Sequence, residues 1–252
     1  MNLREYIGLP IDRKENELSY KENEISVKRI FSIKIKDLQS YLKKEKWDEK
    51  EKVTEIYKVY EDVKAIEHKE VWELAIFDVL LINPIILGNE CAKTISYYTS
   101  FADNGFHYPE IYQVAEGYAE FLLQKPETKH EKVKDAVMIR VQRFEILLVP
   151  PSYGVTIINP SDRKTVIARI RARSVEEIKV EFERTKGACY YRISDGKWDY
   201  NENFEEIAML RLEPPQNRWK TIKRGFPIYA SYAYNPKPLY ALIEPDPSLF
   251  VI

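Results

Sequence analysis

The chain has 252 residues, and its 39 Lys+Arg against 40 Asp+Glu leave a formal net charge of -1, so bulk electrostatics recruits neither nucleic acid nor an anionic membrane. No apolar stretch reaches the ~18 residues of a membrane-spanning helix, and the opening MNLREYIGLP lacks the apolar centre of a secretory leader, so a cytoplasmic protein is expected. Cys91 and Cys189 are too few for a disulfide framework or a zinc site and read as buried free thiols.

In chain order, EISVKRIFSIKI has the look of an edge or arm strand, and IKDLQSYLKKEKWDEKEKV (35–53) predicts an amphipathic helix with a solvated charged face. TEIYKVYEDV alternates like a strand, and the run 72–90, bounded by Pro84 and Gly88, predicts two buried strands around a turn. Residues 105–124 read as a strand, a turn at Glu116-Gly117-Tyr118 and a second strand; residues 145–159 read as an apolar strand broken by Pro150-Pro151 and resumed at Val155. KTVIARIRA (164–172) sets Val166, Ala168 and Ile170 against Arg169 and Arg171, the pattern of a half-buried strand. Ser174 and Glu177 have capping-box spacing, which predicts a short helix over 174–187, and Asp195-Gly196 marks a hairpin. Seven prolines after Arg211 exclude a long helix or a central strand and leave a tail that wraps the barrel or a partner subunit.

The fold class that follows is all-β, a closed antiparallel double sheet of jelly-roll type with an N-terminal strand and helix added and a Pro/Tyr-rich C-terminal extension. The expected organisation is an N-terminal arm over 1–53, a barrel over 54–200 and the extension over 201–252.

The segments EISVKRI, VTEIYKVYE, WELAIFDVLLINPIILGNE, PEIYQVAEGYAEFLLQKPE, FEILLVPPSYGVTIIN and KGACYYRISDGKWDYN, in this order over roughly residues 25 to 200, resemble the archaeal cupin-type glucose-6-phosphate isomerase family. The resemblance implies a cupin barrel, a homodimer and the interconversion of glucose 6-phosphate and fructose 6-phosphate, a gluconeogenic step of carbohydrate metabolism. A charged fraction of 31% suits a thermophile surface. The family holds one divalent metal through a His-x-His pair, a Glu and a later His. Glu110-Ile111-Tyr112 matches its Glu-Val-Tyr strand, and Gly88-Asn89-Glu90 with Thr94 matches the stretch before the His pair. In place of that pair this chain has Ser96-Tyr97-Tyr98-Thr99 or, on an alternative alignment, Phe106-His107-Tyr108. Val155 stands where the last His belongs. At most His107 and Glu110 are left as ligands, so no tightly held cofactor is expected, a weakly bound divalent metal at most.

Glu110 is the candidate base. Inside a barrel its carboxyl would be desolvated toward the range useful for moving a proton between adjacent sugar carbons through an enediol; a structural Glu paired with Arg140 or Arg169 is the alternative. The resemblance assigns Thr94 and Tyr112 to the substrate phosphate, and Tyr97 and His107 complete the candidate substrate-binding set. Tyr97, Tyr98 and Tyr108 are expected to fill the barrel mouth with hydroxyls. His68 and His130 read as surface residues. The Arg169, Arg171, Arg173 row is either an anion site or an exposed face balanced by Glu. Three functions remain open: a sugar-phosphate isomerase, a non-catalytic barrel binding a sugar phosphate or other small polar ligand, and a structural or interaction protein.

Overall fold

The computed structural model describes residues 2–215 and 225–249; the remainder of the expected C-terminal extension, 216–224 and 250–252, lies outside the described residues. Apolar runs rich in β-branched and aromatic residues suit pleated, packed surfaces, and they build β1 (Ile25–Lys34), β2 (Glu55–Ala65), β3 (Ala75–Ile82), β4 (Glu90–Lys93), β5 (Glu110–Glu116), β6 (Tyr118–Pro126), β7 (Lys132–Gln142), β8 (Ile146–Val149), β9 (Gly154–Asn159) and β10 (Thr165–Ala172). One antiparallel sheet has the order β8-β5-β10-β3-β2-β1. The other runs β7-β6-β9-β4, with Ile86–Leu87 beside β4, and Glu206–Ile207 and β11 (Leu210–Glu213) parallel on β7. The two sheets face each other as a cupin jelly-roll barrel, the expected fold class. The segment read as an edge or arm strand, β1, is the edge strand of the first sheet.

The turn between β5 and β6 falls at Gly117, whose φ of 76° favours glycine; a Cβ there would press on Thr165 and Lys164. Pro150 and Pro151 separate β8 from β9 as expected. Tyr190–Arg192 and Trp198–Tyr200 pair around Asp195-Gly196.

Both predicted helices are shorter than their patterns. Over 35–53 the chain forms only Ile35–Leu38, a 3-10 turn at Gln39–Tyr41 and Glu49–Lys52, because Leu38, Tyr41 and Leu42 turn into the core and the charged run after them has no apolar stripe to bury. Over 174–187 only Val180–Arg184 is helical. Glu177 and Ile178 pair with Tyr98–Thr99 instead, and the Glu177 carboxylate bonds Arg169 rather than capping a helix.

The larger correction concerns β10, which is buried along its whole length. The first sheet is covered on both faces. Inside the barrel one cluster joins Leu80, Tyr112, Val114, Leu147 and Ile167 to the opposite sheet. Outside, Leu3, Ile7, Leu9 and Ile11 from the N-terminus and Ile228, Tyr229, Tyr232, Leu239 and Leu242 from the C-terminal region pack on Phe77, Val79, Ala168 and Ile170. The tail therefore takes the apolar side of β10, and Arg169 and Arg171 turn into the barrel.

Tyr229 anchors that outer layer. Its ring stacks on Trp72 at 4.9 Å and meets Phe77 edge-on at 5.0 Å, and its hydroxyl accepts the Ala65 N–H at 2.8 Å. Tyr229→Ala is expected to cost about 3–5 kcal/mol, the usual price of a buried aromatic cut to Ala, read from denaturant unfolding of the full chain.

Candidate functional site

Strand register assembles the site. Tyr112 on β5, Arg169 on β10 and Asp78 on β3 lie opposite one another in successive strands, so a phenol, a guanidinium and a carboxylate form one row on the inner face. Asp78 is fully buried. Its Oδ2 accepts Arg169 Nε at 3.0 Å, Arg169 Nη2 at 2.7 Å and Arg171 Nε at 3.0 Å, while Oδ1 accepts the Asp62 backbone N–H at 3.0 Å. That N–H is free for Asp78 because the pairing of β2 with β3 ends at Tyr60 opposite Val79 and Asp62 has a φ of 53°. Arg171 also donates to Glu61 at 3.1 Å.

Held by Asp78 along one edge, Arg169 directs Nη1 across the barrel to the Tyr97 hydroxyl at 2.8 Å and to Glu177 at 3.0 Å. Tyr97 comes from the opposite wall, where its backbone exchanges bonds with Val155. Its hydroxyl donates to Glu110 Oε2 at 2.7 Å, and Tyr112 donates to the same oxygen at 2.8 Å. The two hydroxyls are 2.7 Å apart. Glu110 is fully buried; its Oε1 lies 3.7 Å from Arg169 Nη1 and has no hydrogen-bond partner among the described residues.

Burial pushes the Glu110 carboxyl above the ordinary carboxylate range, opposed in part by Arg169 and by the two tyrosine bonds. Burial likewise raises Tyr97 and Tyr112 far above the phenol range, so both remain neutral donors. Glu177 behaves in the opposite sense: against the upward push of burial, Arg169 and Lys179 bring it down to about 2. The cluster thus pairs one carboxyl that resists ionisation with one that is ionised throughout the physiological range.

A cavity of about 380 Å³ opens beside the cluster, within the size range of small-molecule sites. Thr94, Tyr57, Tyr97, Arg169 and Arg171 line its depth, and Arg29 and Lys179 its more exposed parts. Thr94 Oγ1 accepts the Ile157 N–H at 3.1 Å. Of the candidates read from sequence, Thr94 and Tyr97 line the cavity, whereas Glu110 and Tyr112 are not among its lining residues and connect to it through Tyr97. His107 is not in this cluster; its Nδ1 pairs with the Thr99 carbonyl and its ring packs at a tilt against Phe101, with centroids 4.0 Å apart. Tyr98 packs on Phe182 at 4.7 Å and takes a bond from Gln124, away from the Glu110 network. Arg140 pairs with Glu120, not Glu110.

Sequence reasoning missed Asp78 and Glu177, and left Arg169 and Arg171 between two readings. The available signal was Asp78 itself, the single charge in the apolar run AIFDVLLI; a lone carboxylate in a buried strand calls for a cationic partner on a neighbour.

A family model described as Glucose-6-phosphate isomerase (GPI) matches residues 33–208. Similar solved structures include a vicilin from Solanum melongena (TM-score 0.35, 18% identity, 48% of this chain and 30% of that one). Others are a vicilin from Corylus avellana (TM-score 0.36, 18% identity, 50% and 32%) and oxalate decarboxylase from Bacillus subtilis (TM-score 0.32, 16% identity, 46% and 26%). This chain spans less than a third of the length of each. No curated protein matches it.

Glu110→Gln tests the electrostatics of the cluster. A carboxyl raised by folding loses stability as pH rises from its unfolded value through its folded one. Gln keeps an acceptor for the tyrosines without that loss. The melting midpoint of Glu110→Gln is expected to equal or exceed the wild type's at about pH 8, with the gap narrowing toward about pH 4 as Glu110 protonates. A variant less stable at neutral pH would show that ionised Glu110 supports the fold.

Proposed function

Because the chain belongs to the cupin-type glucose-6-phosphate isomerase family, we propose that it holds a sugar phosphate in the barrel cavity beside Arg169. The observation that carries this reading is the wall itself: Arg169 and Arg171 are buried in place by Asp78, and Thr94, Tyr57 and Tyr97 set hydroxyls beside them. Fixed cations and neutral hydroxyls are what a polyhydroxylated anion needs from a cavity that excludes most water, Tyr97 serving as wall because its proton goes to Glu110. Arg29 and Lys179, each partly exposed, lie in the outer part of the cavity, paired with Glu61 at 3.0 Å and Glu177 at 2.8 Å, so a phosphate would enter through a rim of ion pairs. In this arrangement Tyr97 and Arg169 stand between Glu110 and the cavity, which favours binding over turnover.

Isomerisation is the second reading, and one observation favours it: Glu110 combines an unpartnered Oε1 with a raised carboxyl. Rotation of Tyr97 would bring that oxygen to the ligand. There it would take a proton from the carbon beside the carbonyl and return it to the neighbouring carbon of the enediol, while the sugar's adjacent hydroxyl proton passes to the carbonyl oxygen.

Thermal shift with fructose 6-phosphate, run beside a coupled assay for glucose 6-phosphate formation, tests both readings. Saturable binding is expected to add about 2.7 kcal/mol at a hundredfold excess over Kd, a shift of several degrees for a chain of this size, and it weakens with added salt. No turnover above background is expected. Turnover abolished by Glu110→Gln would establish the second reading instead, and the absence of any shift would overturn both.

A further inference from the structure

The family to which the chain belongs implies a divalent metal inside the barrel, and the donors at the corresponding place do not fit one. Ser96 bonds Thr156 at 2.6 Å, Thr99 donates to the Tyr108 carbonyl at 2.7 Å, and Val155 has no donor in its side chain. Tyr97 and Tyr112 are neutral phenols spent on Glu110 Oε2. One carboxylate oxygen, Glu110 Oε1, is left, and a guanidinium nitrogen already stands 3.7 Å from it. A divalent ion needs four or more ligands and here would meet one, against the repulsion of a buried cation. Among the described residues no group of three or more His, Cys, Asp or Glu has the arrangement of a metal site.

We propose that Arg169 is the permanent cation of this site and that ligand binding in the cavity is independent of metal. Arg169 is 5% exposed, and its guanidinium is surrounded by three carboxylates: Asp78 at 2.7 Å, Glu177 at 3.0 Å and Glu110 at 3.7 Å. Four of its N–H groups are committed, two to Asp78, one to Tyr97 and one to Glu177. That many bonds fix its position to within side-chain packing, as a coordination sphere fixes an ion. Arg169 lines the cavity together with Tyr97, so a ligand meets the positive charge directly, and the same charge faces Glu110 from the other side. Unlike a metal, a guanidinium cannot exchange its ligands or activate water. The site therefore offers orientation and charge without Lewis acidity. Metal independence stands apart from the choice of ligand, whereas the role of Arg169 in binding rests on the sugar-phosphate reading above.

The test uses the full chain, freed of metal with EDTA and then titrated with manganese(II), nickel(II) or zinc(II) chloride. The wild type is expected to show no saturable uptake, and its melting midpoint and its fructose 6-phosphate shift should be the same with chelator as with metal. Arg169→Gln removes the cation and leaves Asp78, Glu110 and Glu177 facing a vacated space. Its midpoint is expected to fall below the wild type's and to rise when metal is added, and its affinity for fructose 6-phosphate to drop at least tenfold. Arg169→Lys, which keeps a charge there, should ignore metal. One ion bound per wild-type chain would overturn the proposal. So would an Arg169→Gln variant that ignores metal and binds fructose 6-phosphate like the wild type. Should Arg169→Gln fail to fold, the wild-type titration still decides between a resident metal and none. If fructose 6-phosphate moves no midpoint while the metal titrations come out as expected, the ligand reading fails and the fixed cation stands.

Discussion

The burial of Asp78 organises the interior of this barrel. A carboxylate without water costs several kcal/mol unless its oxygens are bonded to cations and dipoles, and removing one partner of such a pair costs about 3–5 kcal/mol. Asp78 meets that requirement with two arginines and one backbone N–H. The consequence reaches beyond the pair. Because Asp78 occupies the Nε and Nη2 edge of Arg169, only Nη1 remains to cross the barrel, and there it finds Tyr97 and Glu177. Tyr97, accepting from Arg169, spends its own proton on Glu110. A single charge in one strand thus sets the orientation of four side chains on other elements.

The second dependency is the covering of the outer face. β3 and β10 are buried on both sides because the N-terminal segment and the helix at Ile228–Tyr234 close over them. In an antiparallel sheet with one wet face, the alternation in β10 would send its arginines to solvent. Here the apolar alternate set belongs to the outer layer, which leaves the charged set to the barrel. The polar interior and the apolar exterior of this sheet are therefore two sides of one packing decision, and residues remote from the cavity determine what its wall contains.

Membership in the isomerase family rests on the match over residues 33–208, and within that span the buried network is built around Glu110 and Tyr112. Glu110 and Tyr112 lie two residues apart on one strand and so share a face, and the structure joins them through one carboxylate oxygen. Tyr97 completes the group from the opposite wall. On the proposed reading, the positive charge that a ligand meets is a guanidinium held by carboxylates.

Much of the frame was legible in short-range pattern. Gly117 between two apolar alternations and the Pro150-Pro151 break mark the strand ends because turn geometry depends on a few adjacent residues. The sequence left the placing of Glu110 inside the barrel as a condition, and its burial was decided by the structure. The helices expected over 35–53 and 174–187 were overstated because the pattern cannot register that Leu38 and Leu42 turn into a core, or that Glu177 is drawn to an arginine. The direction of the Arg169 and Arg171 side chains was undecidable locally: both faces of β10 are compatible with burial until the covering layer is known. The sequence by itself determined the order of strands, the turns and the presence of a carboxylate beside a phenol on one strand, since these depend on neighbours along the chain. Which residues line the cavity, the pairing of Asp78 with Arg169, and the placing of Tyr97 and Arg169 between the cavity and Glu110 were decided only by the tertiary structure, because each joins residues brought together across different strands and opposite walls.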